Sequence, residues 1–258
     1  MEPSIAYPLS RSLNHRVAYQ RRRAMPDRSN KSLQRTYDLL RSHLHSIEPG
    51  GLLVEADLVR SLSSSRNAVR AALQLMAAEG LVARKTKVGT TSQGATFLPL
   101  NDILSDRQKT NAYGIHTGIA TSIILVPELI RIRLRLEEGS SVAVIDGLIY
   151  AGGEPIGTSV GYVGLSASEA IRFPNQNLGT VSFLEESLQV ELGDCETRMA
   201  TASCDAETAH RLSIEEGSAM FWLEDLIRDV DGRPRAIKQA RFRGDRVAFS
   251  AVARRAVA

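Results

Sequence analysis

The chain repeats itself once, and that repeat limits the folds open to its second half. Arg133-Leu134-Arg135-Leu136-Glu137-Glu138-Gly139-Ser140 recurs as Arg211-Leu212-Ser213-Ile214-Glu215-Glu216-Gly217-Ser218. Each copy closes a short helix and enters a strand, Val142–Tyr150 in the first and Ala219–Val230 in the second. Each strand carries Leu-Ile (Leu148-Ile149, Leu226-Ile227) and runs to a Gly-x-Pro turn, Gly153-Glu154-Pro155 and Gly232-Arg233-Pro234. Returning strands follow at Ile156–Val163 and Arg235–Arg243. From the Glu-Glu-Gly glycine to the turn proline is 16 residues in the first copy and 17 in the second, so the second hairpin is one residue longer. A solenoid needs about three repeats or more. Two copies instead predict one α+β domain of two related helix–hairpin halves around a shared antiparallel sheet. The seam between the halves is a natural place for a small-molecule pocket.

The first third is of a different character. Of the 258 residues, 1–30 hold six arginines against two carboxylates, and 31–97 hold nine Lys/Arg against five Asp/Glu. Residues 98–258 hold 17 basic against 22 acidic side chains. A basic front on an acidic remainder predicts that the front meets a polyanion. The richest apolar stretch, Thr117–Leu129, is too short to span a bilayer and runs into Arg131, Arg133 and Arg135, so no membrane partner is expected. Met1–Met25 does not read as a secretory signal. Cys195 and Cys204 form no disulfide framework and suit a cytoplasmic setting.

Met1–Asn30, with Arg21-Arg22-Arg23, lacks periodicity and reads as a mobile basic arm. From Ser32, a plausible cap, Leu33, Tyr37, Leu40, Leu44 and Ile47 form a helical stripe that ends at Pro49-Gly50-Gly51. A short helix over Ala56–Ser61 follows, and Ser63-Ser64-Ser65 then supplies a turn and an N-cap for a longer helix, Arg66–Glu79. Gly80 stops that helix at the C′ position. Strands are expected at Val82–Thr86 and Thr90–Thr96. Three helices and a hairpin over 31–97 are the order of a winged helix-turn-helix. Residues 98–112 read as a linker, which leaves 113–258 for the repeat-bearing domain.

In the Arg66–Glu79 helix, Val69, Ala72, Leu73 and Met76 form the inner stripe, while Arg66, Asn67, Arg70 and Gln74 lie on the other face. Arg can grip guanine O6/N7 with two hydrogen bonds, and Asn the N6/N7 edge of adenine. Arg66, Asn67 and Arg70 are therefore expected to read bases. Ser65, Lys87, Gly89 and Thr90 are expected at phosphates or the minor-groove edge.

Ser65-Arg66-Asn67-Ala68-Val69-Arg70-Ala71-Ala72-Leu73, with Ala78-Glu79-Gly80-Leu81-Val82, resembles the N-terminal domain of the GntR family of bacterial transcription factors. Leu52 and Glu55 match the family's Leu-Pro-Ser-Glu upstream, and Gly89-Thr90 its wing; Ala56 and Lys87 depart from it. The C-terminal part resembles the UTRA effector domain of the HutC subgroup, with the chorismate-lyase fold. The matching residues are Gly153-Glu154-Pro155, Asp229-Val230-Asp231-Gly232-Arg233-Pro234 and Phe242-Arg243-Gly244-Asp245-Arg246 with Phe249. The resemblance implies a two-domain α+β repressor, working without a cofactor as a homodimer on a palindromic operator, its grip set by a small-molecule effector.

Many UTRA domains carry Arg-x-Arg before the Gly-x-Pro turn to hold an anion; here those positions are Gly147 and Ile149. A non-phosphorylated, partly apolar effector is therefore expected. Its candidate contacts by position are Ser159, Tyr162, Glu224, Lys238 and Arg241, with Tyr162 and Ser159 the main holds. Lys238 and Arg241 are three apart, so only one should face the pocket unless a bulge intervenes. Two other readings stand beside this one: a ligand-independent repressor whose second domain only dimerises, and a chorismate-lyase-like enzyme, disfavoured by the missing arginines. No metal site is expected, since His43 and His45 do not share a helix face and His116 and His210 stand alone. Cys195 and Cys204 lack a CxxC context, and Walker and Gly-x-Ser-x-Gly motifs are absent from the sequence.

Overall fold

The computed structural model describes residues 28–85, 89–100, 104, 116–165 and 178–253. The basic arm up to residue 27, Lys87 and most of the expected linker lie outside the described residues. Helix α1 (Arg28–Leu44) begins a turn earlier than its apolar stripe suggested. Ser32 is therefore inside the helix rather than its cap, and its carbonyl accepts the Thr36 hydroxyl at 2.8 Å. Helices α2 (Glu55–Ser61) and α3 (Arg66–Ala78) follow. Ser65 caps α3, its side chain accepting the Ala68 N–H at 3.2 Å. Leu40 and Leu44 of α1 pack with Leu58 of α2 and with Val69, Ala72, Leu73 and Met76 of α3 into one core. Gly80 takes φ +75°, the left-handed conformation that lets the chain leave the helix.

The wing has three strands rather than two: β1 (Leu52–Leu53), β2 (Val82–Lys85) and β3 (Gly89–Ser92), in the order β1-β3-β2. The expected strand Thr90–Thr96 is broken after Ser92, and Gly94 (φ +70°) turns the chain away. Thr96–Pro99 (β4) then pairs in parallel with the chain's last strand, β11 (Val247–Ser250). The start of the presumed linker is therefore a strand on the C-terminal domain.

That domain bears out the repeat and extends it. Each half is a strand, a helix and a hairpin. The first is β5 (His116–Leu125), α4 (Glu128–Leu134), β6 (Ser141–Ala151) and β7 (Glu154–Leu165). A helical turn (α5, Thr180–Ser182) winds into a wider π-helical turn over Phe183–Ser187. The second half is β8 (Leu192–Ser203), α6 (Ala206–Leu212), β9 (Ala219–Asp229) and β10 (Pro234–Arg243). The sheet order is β5-β6-β7-β10-β9-β8, so the halves meet at β7 and β10. The repeat also holds in the backbone: Arg135 and Ser213 end α4 and α6 with φ of 54° and 53°.

Both helices lie on one face. Each crosses the seam, α4 packing on β10 and α6 on β7. Ile130 and Leu134 meet Val142 and Ile237 there, while Ala209 and Leu212 meet Met220. Phe183, Leu184 and Leu188 cover part of the opposite face, over Ala143, Ile145, Val163 and Ile227. Leu98 and Val247 cover another part, over Ile149, Leu223, Ala240 and Phe242.

Candidate functional site

The apolar side of α3 is fully used in the core, which leaves Arg66, Asn67, Arg70 and Gln74 exposed at its N-terminal end. Two contacts fix how that end is presented. The Thr36 hydroxyl, buried on α1, donates to Ser64 Oγ at 2.9 Å and pins the serine turn. At the other end Tyr37 hydrogen-bonds Glu79, and Arg41 reaches both, at 2.7 Å to the tyrosine and 3.3 Å to the carboxylate. Burial, and then the Glu79 carboxylate, push the Tyr37 hydroxyl above its usual range.

The exposed face of α3 carries a tether that the sequence reading missed. Glu55 Oε2 accepts Arg70 Nε at 2.8 Å, and Glu55 Oε1 accepts Arg84 Nη2 at 3.3 Å. One carboxylate at the start of α2 thus aims an arginine from α3 and another from the wing. The Leu-x-x-Glu motif was visible; the two arginines, 15 and 29 residues on, were not linked to it. Gly89 opens the third wing strand with φ +109°, as a tight wing requires. Thr90 lies on the same strand, β3. It is 6% exposed and pairs with Leu53 and Arg84 in the central strand, so it is part of the wing's framework.

The five effector candidates do not form one site. Strand alternation puts Ser159 and Lys238 on the face opposite the helices and Tyr162, Glu224 and Arg241 beneath α4 and α6. No register shift intervenes between Lys238 and Arg241, so they point to opposite faces, as their spacing requires. Tyr162 packs in the cluster under α4 and cannot share a pocket with Ser159, three residues away on the same strand. Glu224 is a strut: Arg133 of α4 donates to it at 2.7 Å and Gln239 at 3.0 Å. Those bonds, the arginine's foremost, hold its carboxyl below the usual range against burial. Arg241 lies near Asp205, the N-cap of α6, whose carboxyl is held low first by Thr208 and also by Arg241.

On the other face Gly147 lies opposite Ser159, and Gly161 lies between Ile145 and Lys238. The Lys238 ammonium is 3.7 Å from the Asp225 carboxylate, whose side chain is only 3% exposed. Asp225 also accepts the Thr197 hydroxyl at 2.8 Å, with Cys195 Sγ 3.7 Å from that oxygen. Burial, and then Asp225, push the Cys195 thiol up to about 11, so it is an inert thiol at neutral pH. A side chain at Gly161 would meet Thr180 of α5 at 2.1 Å, so the glycine allows the covering segment to sit against the sheet. The result is a floor of small residues around one matched Lys–Asp couple, between the apolar covers at either end. Among the described residues no three His, Cys, Asp or Glu side chains converge as a metal site. No described helix is long and apolar enough to cross a membrane.

A capped recognition helix on a three-stranded wing, joined to a sheet domain with a polar floor, defines a DNA-binding regulator with an effector domain. The family model for the UTRA domain matches residues 119–248, and that for bacterial regulatory proteins of the gntR family matches residues 33–91. The chain belongs to the gntR family of transcriptional regulators that carry a UTRA domain. Among solved structures it is similar to PhnF from Mycobacterium smegmatis, at 21% identity and a TM-score of 0.58 over 85% of this chain and 99% of that one. It is also similar to the possible transcriptional regulator YydK from Bacillus subtilis subsp. subtilis str. 168. That likeness is at 14% identity and a TM-score of 0.53, over 86% of this chain and 99% of the other. The effector domain of PhnF alone aligns with 62% of this chain and 100% of its own length, at 20% identity and a TM-score of 0.54. None of the curated protein sequences matches the chain.

Proposed function

We propose that the chain is a homodimeric, cytoplasmic repressor of the HutC type that binds a palindromic operator and responds to a non-phosphorylated small molecule. In this reading the residues before α1 are a basic arm, α1 to β3 are the DNA-binding domain, and the sheet domain, with β4 packed on it, binds the effector and dimerises. Arg66, Asn67 and Arg70 read bases, with Glu55 aiming Arg70. Ser65, Lys87 and the wing at Gly89 lie along the phosphates. One short recognition helix contacts too few base pairs for useful specificity, and a two-fold doubles the site.

The observation that carries the effector class is the Lys238–Asp225 couple. Among the described residues, the one cation on that stretch of floor is already matched by a buried carboxylate, and the positions of the family's anion clamp are Gly147 and Ile149. A phosphate would have to shed its water beside Asp225, with no free cation among the described floor residues to receive it. A neutral or internally balanced polar molecule, held by Lys238, Asp225, Thr197 and Ser159, fits this floor. Strand β10 supplies the link to DNA. It runs from Lys238 to Arg243, which holds Asp245 with two bonds of 3.0 and 2.7 Å. Asp245 lies against Gly80 at the end of the recognition helix, 3.2 Å from where a Cβ would stand.

Calorimetry on the full chain with metabolite pairs that differ only in a phosphate ester tests the effector class, alongside operator release in a gel shift. A preference for the phosphorylated members overturns it. Tight operator binding with no stabilising metabolite in a thermal-shift screen points instead to a domain that only dimerises.

A further inference from the structure

The two edges of the six-stranded sheet differ sharply. Strand β8 ends the sheet with charge: Asp194, Glu196 and Arg198 lie on it, and Arg228 of β9 binds the two carboxylates at 2.6 and 3.0 Å. A charged edge resists pairing with another strand. Strand β5 is the other edge. It pairs with β6 along its whole length, from His116 opposite Tyr150 to Leu125 opposite Ser141, and with no second strand among the described residues. Its ten residues contain no Asp, Glu, Lys or Arg. From Ala120 to Leu125 every side chain is exposed, on both faces of the sheet, so no layer among the described residues covers this stretch.

The apolar surface continues past the strand. Leu125 is 71% exposed, and Leu129 and Ile132, on the outer side of α4, are 77% and 56% exposed. The charged neighbours on α4 are settled within the protomer. Glu128 and Arg131 pair at 2.7 Å, and Arg133 turns inward to Glu224. Residues 98–258 are net acidic, with 22 acidic against 17 basic side chains, so two copies repel one another over most of this domain. Strand β5 itself carries none of that charge. An antiparallel strand edge is also its own complement across a two-fold axis, each N–H and C=O meeting the same group of the other copy.

We propose that β5 and the outer face of α4 form the dimer interface, with β5 of two copies pairing antiparallel across the two-fold and Leu125, Leu129 and Ile132 packing beside the joined edge. This rests on the homodimer reading above and assigns its surface. Ten residues of strand run about 33 Å, a length that suits a standard-sized interface once the flanking helix faces are added.

The test uses the full chain and two independent measurements. Analytical ultracentrifugation compares wild type with Leu129→Glu/Ile132→Glu. Both side chains are exposed in the protomer, and circular dichroism checks that the fold is kept. The double variant is expected to weaken dimerisation by about 100-fold or more and to lose tight operator binding. Separately, single cysteines are placed in turn at positions 120 to 125 and oxidised. Interchain disulfides should peak at one position or one adjacent pair near the axis and fall away on either side. A wild type that dimerises while the Glu variant stays equally dimeric and no cysteine cross-links overturns this surface but leaves the homodimer standing. The edge is then covered by something else, such as another segment of the same chain. A monomeric wild type that still binds its operator overturns both.

Discussion

Replacing Arg133 by methionine isolates the contact between helix α4 and the sheet. In the folded chain Glu224 is nearly enclosed, its side chain 8% exposed, and among the described residues Arg133 is the cation bonded to it, at 2.7 Å. Without Arg133 the carboxylate keeps the Gln239 amide at 3.0 Å and nothing else of comparable strength. Breaking a buried ion pair from one side costs about 3–5 kcal/mol. Arg133 is itself 32% exposed, so water can partly replace it and the loss falls below that range, to about 2–3 kcal/mol. For a chain of this size that lowers the melting temperature by about 4–12 °C. Glu224→Gln keeps the shape and the Gln239 bond and removes the buried charge, at a cost of about 1 kcal/mol. The double variant leaves no charge stranded, so it should be more stable than the sum of the single effects by about 1.5 kcal/mol or more.

Trp222, the chain's one tryptophan, lies two residues from Glu224 on the same strand face and reports urea unfolding by fluorescence. The effect has a defined pH sign. Glu224 has a carboxyl held below its usual range in the folded state, chiefly by the Arg133 hydrogen bond. The stability it contributes is therefore complete above the ordinary carboxylate range, about pH 4.3, and is lost as pH falls through the lowered folded value. The gap between wild type and Arg133→Met should be widest near neutrality and close in acid. A variant within about 0.5 kcal/mol of wild type at pH 7, or a strictly additive double, refutes the strut. So does loss of effector response in Glu224→Gln at unchanged stability, which would return Glu224 to the binding pocket.

Arg70→Ala should weaken operator binding by about 1–3 kcal/mol and relax base preference at its position; unchanged binding in a shift assay refutes the recognition-face assignment. Gly161→Ala drives a methyl group into Thr180, 2.1 Å from the new carbon, and should destabilise the C-terminal domain by about 1–3 kcal/mol. Thr180→Ala in the same chain should recover part of that loss in a thermal melt. Cys195, its thiol raised to about 11, should resist iodoacetamide in the folded chain at pH 8 and label at a free-thiol rate only after unfolding. Labelling of the folded protein at the free rate would mean that the cysteine is not enclosed.

The elements legible in the sequence were those whose signal is local. The α3 boundaries follow from Ser65, which caps, and Gly80, which only needs a left-handed backbone, so each end is written in one residue. Both hairpins were legible because a Gly-x-Pro turn lies between apolar strands. The outer strands β5 and β8 were not separately read, because each is defined by a partner across the sheet rather than by a turn. The parting of β4 from the wing was hidden for the same reason: its partner, β11, lies 151 residues further along the chain, from Thr96 to Val247.

The polar floor was only half legible, and the cause is one residue in each hairpin. Continued straight from Pro234 opposite Arg228, the ladder would set Lys238 against Glu224. A register shift between Pro234 and Ala236 sets it against Asp225 instead. The first hairpin makes the same shift between Ile149 and Tyr150, which brings Gly147 opposite Ser159 rather than Thr158. A slip of one residue exchanges the faces of everything beyond it. The sequence reading took polar candidates by position along the strands without this shift, and so mixed the two faces. The bulge sends Glu224 to Arg133 under α4 and leaves Asp225 to hold Lys238 on the opposite face. Because both halves of the repeat carry the bulge, the two hairpins turn matching faces to the seam, and a single polar floor forms across β6, β7, β10, β9 and β8.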